Sequence, residues 1–228
     1  MESAKAGSKR TNDGFIQSLE KPVLLWLCKK MPAWMSPDLL TAIGVLGGVI
    51  TALGYGLSSF GTGYLYLSFL GLVLNWLGDS LDGSLARFRN QSRERYGYFL
   101  DQSLDSLCHS LVVIGAGASP YARMDVSLFL LVAWLLVNIC VFLWQNVSGV
   151  FVMSFAGMGL TEVRLLLILT TIVMIFCPPF HLTVLGADMT QYDLSFIAAA
   201  VVMLAIVFYT IATSAAQLRK EDDLRSGR

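Results

Sequence analysis

Between residues 78 and 106 the chain reads GDSLDGSLARFRNQSRERYGYFLDQSLDS, which sets Asp79, Asp82, Asp101 and Asp105 inside otherwise apolar sequence. The flanking runs are rich in Leu, Val and Phe and are of membrane-spanning length. An ionised carboxylate there is costly and is kept mainly beside a polar cavity, a partner charge or a metal. Asp79 and Asp82 are three residues apart and Asp101 and Asp105 four, so on helices each pair shares a face. Carboxylates this close repel one another unless a cation compensates. An all-oxygen donor set without His or Cys suits Mg²⁺ or Mn²⁺ better than zinc. Four acids exceed what one octahedral Mg²⁺ usually takes from protein. Two ions bridged by carboxylates are expected, an arrangement that serves phosphoryl displacement.

These acids need helices to position them, and the composition supplies the class. The 228 residues are 55% hydrophobic and 14% charged, with mean hydropathy +0.64. Soluble domains carry roughly a quarter charged residues, so an all-α polytopic membrane protein is expected. A formal net charge of zero argues against nucleic acid as a partner. Cys28, Cys108, Cys140 and Cys177 show no C-x-x-C spacing and lie in or beside apolar segments. They read as small core residues rather than a disulfide framework or zinc site. The polar start, MESAKAGSKRTN, precedes no signal-peptide core and is expected to be retained.

A crossing takes about 20 apolar residues. Six stretches qualify: 39–59, 65–89, 97–118, 127–148, 163–180 and 192–214. The second and third do so only with their aspartates counted in. Placing both termini in the cytoplasm leaves Arg123 alone outside, of 16 Lys and Arg, as positive-inside retention requires. Residues 14–35 suit an amphipathic helix in the headgroup layer, with Trp26 and Trp34 at the interface and Pro22 starting or kinking it. An anchor and a part in substrate entry both fit it. The expected division is a cytoplasmic tail and juxtamembrane helix over 1–38, a six-helix transmembrane catalytic domain over 39–216, and a cytoplasmic tail over 217–228.

In this topology Asp79 lies about 22 Å along the second span, and Asp101 and Asp105 about 6 and 12 Å into the third. All four acids then reach similar depth in the cytoplasmic half and converge on one pocket. Gly83 and Ala86 follow Asp82 within a turn, and Gly97 precedes Asp101 by a turn. Small residues let helices pack closely; beside a metal site they also admit a nucleotide. Arg87 offers a fork suited to phosphate or serves as a positive-inside anchor.

The pattern Asp79-x-x-Asp82-Gly83-x-x-Ala86-Arg87, nine residues, Gly97-x-x-x-Asp101-x-x-x-Asp105 resembles the signature of the CDP-alcohol phosphotransferases. Six spans and a juxtamembrane helix extend the likeness over most of the chain. Ser36-Pro37-Asp38-Leu39-Leu40-Thr41 is similar to the Pro-Asn-x-x-Thr stretch that many members carry before their first span, with Asp38 in place of Asn. The resemblance implies transfer of a substituted phosphate from a CDP-linked donor to an alcohol hydroxyl, with release of CMP, in phospholipid synthesis. It also implies a dimetal site and, usually, a homodimer among membrane lipids. Asp79, Asp82 and Asp101 would be metal ligands. Asp105 would be the base for the attacking hydroxyl, also touching a metal. Asp79, Gly83, Ala86 and Arg87 would lie along the CDP moiety. Both CDP-diacylglycerol with a soluble alcohol and a CDP-aminoalcohol with a lipid alcohol fit.

Further residues have two readings each. His109, one turn beyond Asp105, is an interior histidine or an acceptor contact. Glu162 opens the fifth span, where the helix dipole favours it. It pairs with Arg164 or a loop arginine, or it reaches the mouth of the pocket. The Thr161-Glu162 stretch is similar to one in the aminoalcohol branch of the family. Gln145 and Asn146 line the acceptor site or bond across helices. His181 and Asp188 fall in the outer loop and receive no role. The competing function is a divalent-cation transporter with an intramembrane aspartate site. It needs polar access to both faces, whereas Tyr64–Trp76 and Leu107–Ala118 hold few polar groups. A catalytically dead scaffold is disfavoured because every motif aspartate is present.

Overall fold

The computed structural model describes residues 15–148, 160–184 and 186–226, with side-chain surroundings from residue 20 in the first stretch and from 164 in the second. The expected N-terminal tail, residues 1–14, lies outside the described residues, as does the connection 149–159. In chain order the described elements are α1 (Phe15–Lys30), α2 (Pro37–Leu57), α3 (Tyr64–Phe88), α4 (Glu94–Gly117), α5 (Met124–Ser148) and α6 (Leu160–Phe176). A hairpin of β1 (His181–Val184) and β2 (Ala187–Thr190) and a last helix, α7 (Gln191–Arg225), follow. The all-α class holds. A small hairpin, antiparallel with His181 opposite Thr190, forms where a loop was expected. Gly186 takes a φ of +81° in its turn, which a side chain would resist.

Helix ends follow local chemistry. Ser36 Oγ accepts from the backbone N–H of Leu39 at 3.1 Å, and Pro37 takes the first helical position, where its missing N–H costs nothing. α6 stops before Cys177-Pro178-Pro179, short of the expected 180, because proline lacks the N–H that would extend the ladder. α7 opens with a reciprocal Thr190/Asp193 capping box and runs 35 residues, continuing beyond the apolar stretch 192–214 into the polar end of the chain. Pro22 sits within α1 rather than at its start.

By length and composition, three helices can cross a membrane: Pro37–Phe60, Met124–Ser148 and Gln191–Arg225, with Arg164–Phe176 apolar but shorter. α3 and α4 are 25 and 24 residues long, and their acidic and basic residues keep them out of that set.

The packing is organised by α2. Its glycines lie on α3: a Cβ added to Gly47 would fall 2.6 Å from the Gly71 carbonyl oxygen, and one added to Gly78 of α3 would fall 2.6 Å from the Leu40 carbonyl oxygen. On another side of α2, Gly48 backs onto Cys108 of α4 at 2.8 Å by the same measure. Thr51 Oγ1 donates to Gly47 O at 2.8 Å, and Ser68 Oγ donates to Thr51 O at 3.1 Å, so the polar atoms in this seam are satisfied. α3 packs on α2 and α6, while α4 packs on α2 and α5. α3 and α4 make few close backbone approaches to each other, and both pack on α2 instead. An apolar cluster of Tyr55, Leu65, Val112, Ala116, Tyr121, Met174 and Tyr192 fills the hairpin end. A second, of Leu24, Cys28, Leu40, Leu81 and Leu85, seats α1 at the other.

Candidate active site

The turn between α3 and α4 sets the register of the acids. Asn90 adopts φ +55°, the left-handed conformation that Asn tolerates better than most side chains. Gln91 N–H then donates to Ala86 O at 2.8 Å and Asn90 N–H to Arg87 O at 3.2 Å, the paired bonds of a Schellman ending. Two neighbouring arginines fasten the same turn. Arg89 donates to the carbonyls of Met35 and Pro32 at 2.5 and 2.9 Å, and Arg93 grips Asp38 with both carboxylate oxygens within 2.9 Å.

With the turn fixed and α2 drawn in by its glycines, the acids meet in the gap between α3 and α4. Asp79, Asp101 and Asp105 present oxygens within 4.8 Å of one another. All four aspartates line one small cavity of about 20 Å³ with Thr41 and Asn75, room for a particle the size of a water. Asp82 is held apart from the trio by Thr41, whose hydroxyl donates to Asp82 Oδ2 at 2.6 Å. Asn75 Nδ2 donates to Gly44 O at 2.9 Å, so its side chain bridges α3 and α2 one turn before Asp79. From α6, Arg164 reaches into the gap and pairs with Asp79 and with both oxygens of Asp105, the latter at 2.9 and 3.1 Å. Arg164 is only 4% exposed. The trio therefore has the oxygen donors and the geometry to hold a metal ion, and a buried guanidinium beside it shows how strongly the cluster attracts positive charge.

The remaining expected site residues fall as follows. A Cβ on Gly83 would lie 3.2 Å from an Arg87 guanidinium nitrogen, and nothing lies within 4 Å of one on Gly97. Arg87 donates to Ser84 at 3.3 Å and lies at the surface, and Ala86 is half-buried. His109 is buried away from the cavity lining, its ring 5.0 Å from that of Trp134 and its Nδ1 2.6 Å from Asp105 O. Gln145 Oε1 accepts from Tyr98 at 2.7 Å, a bond between α5 and α4, and Asn146 is exposed. The backbone of Glu162 is in the first turn of α6, but its side chain lies outside the described ones. His181 pairs with Asp188 at 3.0 Å on the hairpin. Sequence reasoning named Arg164 only as a partner for Glu162 and not for the acids, did not single out Asn75, and counted Thr41 only within a loosely matching stretch. The available signals were a basic residue opening a span and an amide one turn before Asp79.

A family model described as CDP-alcohol phosphatidyltransferase matches residues 34–218. Cholinephosphotransferase 1 of Homo sapiens is 32% identical over 177 residues, covering 71% of this chain and 42% of that protein. Its Gallus gallus counterpart is 29% identical over 168 residues, covering 69% and 48%. The chain thus spans less than half the length of these relatives. Two crystal structures of Mycobacterium tuberculosis phosphatidylinositol phosphate synthase share the fold. One, with CDP-DAG bound, has a TM-score of 0.59 at 19% identity, over 86% of this chain and 94% of that one. The other, in complex with manganese and citrate, has a TM-score of 0.58 at 20% identity, over 85% and 87%. The matched region contains the whole aspartate motif and the helices that bring it together, and the chain belongs to the CDP-alcohol phosphatidyltransferase family.

Proposed function

We propose that this protein is an integral-membrane phosphotransferase of phospholipid synthesis. It moves a substituted phosphate from a CDP-linked donor to an alcohol hydroxyl and releases CMP. The observation that carries the reading is the meeting of Asp79, Asp101 and Asp105, from two helices, in a cavity that Asp82 also lines. These four would hold Mg²⁺ or Mn²⁺, in the expected pair of ions. Ions held there would neutralise a diphosphate and make CMP a better leaving group. Asp105 takes the proton as the acceptor oxygen bonds to phosphorus and the bond from phosphorus to the CMP oxygen breaks; a base acts only within hydrogen-bond reach of that hydroxyl. Gly83 and Gly97 leave room for the donor, and the Arg87 guanidinium beside Gly83 meets phosphate.

A CDP-aminoalcohol donor with a lipid alcohol is the favoured pairing. The relatives near 30% identity are cholinephosphotransferases. A phosphorylated acceptor calls for a basic cluster around the pocket, yet Arg89 and Arg93 are tied to the turn and Arg164 to the acids. Glu162, His109 and Gln145 remain the proposed acceptor side. His109 would act through the Asp105 backbone it touches. Six spans, a membrane-surface α1, cytoplasmic termini and active site, and a homodimer complete the proposal, with residues 39–216 as the catalytic domain. Cation transport finds no support among the described residues, because Tyr55, Leu65, Val112 and Met174 fill the hairpin side of the site.

The test is a donor and acceptor panel. Purified protein with Mg²⁺ or Mn²⁺ is given labelled CDP-choline or CDP-ethanolamine with diacylglycerol, and CDP-diacylglycerol with inositol, serine or glycerol phosphate. Metal-dependent CMP release from the CDP-aminoalcohols is expected. Release from CDP-diacylglycerol alone would move the substrate assignment, and no release from any pairing would contradict the activity.

A further inference from the structure

Arg164 and a metal ion have claims on the same oxygens. The guanidinium pairs with Asp79 and, through both oxygens, with Asp105. Those carboxylates are two of the three that could hold an ion. The arginine is 4% exposed, and its Nε is buried without a hydrogen-bond partner. A donor atom left unsatisfied in the interior is costly, and the arginine bears that cost while its terminal nitrogens pair with the acids. Its position makes sense as charge. Without a cation, carboxylates this close and this buried repel; with a guanidinium between them, two are paired. Arg164 comes from α6, whereas the acids come from α3 and α4, so the arginine can withdraw without disturbing the backbone that carries the acids.

We propose that Arg164 is a resident counter-cation, which holds Asp79 and Asp105 in the metal-free protein and competes with an arriving divalent ion for them. This rests on the reading of the aspartates as the metal site. The pairing offsets repulsion between the two carboxylates, and the competition raises the concentration of metal needed to fill the site. A guanidinium displaced by the ion is left beside the site with its charge unpaired, and phosphate oxygens are what it then pairs with most strongly. Anionic donor and metal therefore bind cooperatively.

The experiment is a Mn²⁺ titration followed by electron paramagnetic resonance, on wild-type protein, Arg164→Gln and Arg164→Lys in detergent, with thermal unfolding recorded with and without metal. Arg164→Gln is expected to bind Mn²⁺ at least about tenfold more tightly than wild type. Its metal-free melting temperature falls and is restored by Mn²⁺. Arg164→Lys, which keeps the charge, stays near wild type. Equal or weaker Mn²⁺ binding by folded Arg164→Gln overturns the proposal, as does a variant that stays unfolded in saturating Mn²⁺. If no variant binds Mn²⁺, wild type included, the metal-site reading itself fails and takes this inference with it.

Discussion

Thr41 and Arg164 hold different acids by different means. Arg164 supplies charge to Asp79 and Asp105, while the Thr41 hydroxyl gives Asp82 one directed hydrogen bond and also contacts Pro37 O at 3.2 Å in its own helix. A ligand's hydrogen-bond partners fix its orientation, and losing one typically costs about 10–100-fold in metal affinity. Thr41→Val keeps the shape and removes the donor. Mn²⁺ affinity in that variant is expected to fall by about that factor, with melting temperature little changed, whereas Thr41→Ser should recover most of the loss. An unchanged affinity in Thr41→Val would mean Asp82 is oriented by something else. The aspartates themselves were legible in the sequence because acids in apolar runs are expensive and their three- and four-residue spacings imply shared faces. Arg164 was not. A basic residue opening a span is what charge retention alone produces, and only tertiary structure carries it 85 positions back along the chain to Asp79.

At the scale of elements, α2 decides where the acids meet, although it contributes none of them. Its glycines let α3 and α4 both close on it, and the gap left between those helices becomes the site. Gly47→Ala puts a carbon against the α3 backbone, which cannot move aside as a side chain would. Overpacking of this kind costs about 1–3 kcal/mol, and thermal unfolding should show it together with loss of metal binding. Gly56→Ala is the control in the same helix. Nothing lies within 4 Å of its added carbon, so the better helix former should be neutral or stabilising by up to about 1 kcal/mol. Equal effects at the two sites would contradict close packing as the reason for Gly47. Helix positions were readable from apolar runs and caps. The role of α2 was hidden because small residues mark close approach without naming the partner.

Across the whole molecule, the account turns on how many helices cross the membrane. Three helices are apolar enough to cross by composition, and the proposal adds α3 and α4, whose aspartates line the inner cavity, and the shorter α6. Native thiols offer a direct reading. Cys177 is exposed beside the hairpin, whereas Cys28 is buried on the inner face of α1, and burial pushes its thiol pKa up and keeps it unreactive. A membrane-impermeant maleimide on intact cells is expected to label Cys177 and spare Cys28. Gln91→Cys, on the exposed α3–α4 turn, should react only after permeabilisation. Labelling of both positions from one side would rule out an odd number of crossings between them.

The central claim is that four acids from two helices form one metal-dependent transfer site in which Asp105 is also the base. Parallel assays of Mn²⁺ binding and CMP release in Asp101→Asn and Asp105→Asn test it most directly. Asp101→Asn should lose both metal affinity and turnover. Asp105→Asn should bind Mn²⁺ more weakly but, once saturated with Mn²⁺, still release CMP about 10²–10⁴-fold more slowly, the range for loss of a general base. Turnover near the wild-type rate in Asp105→Asn, with metal bound, would contradict the account.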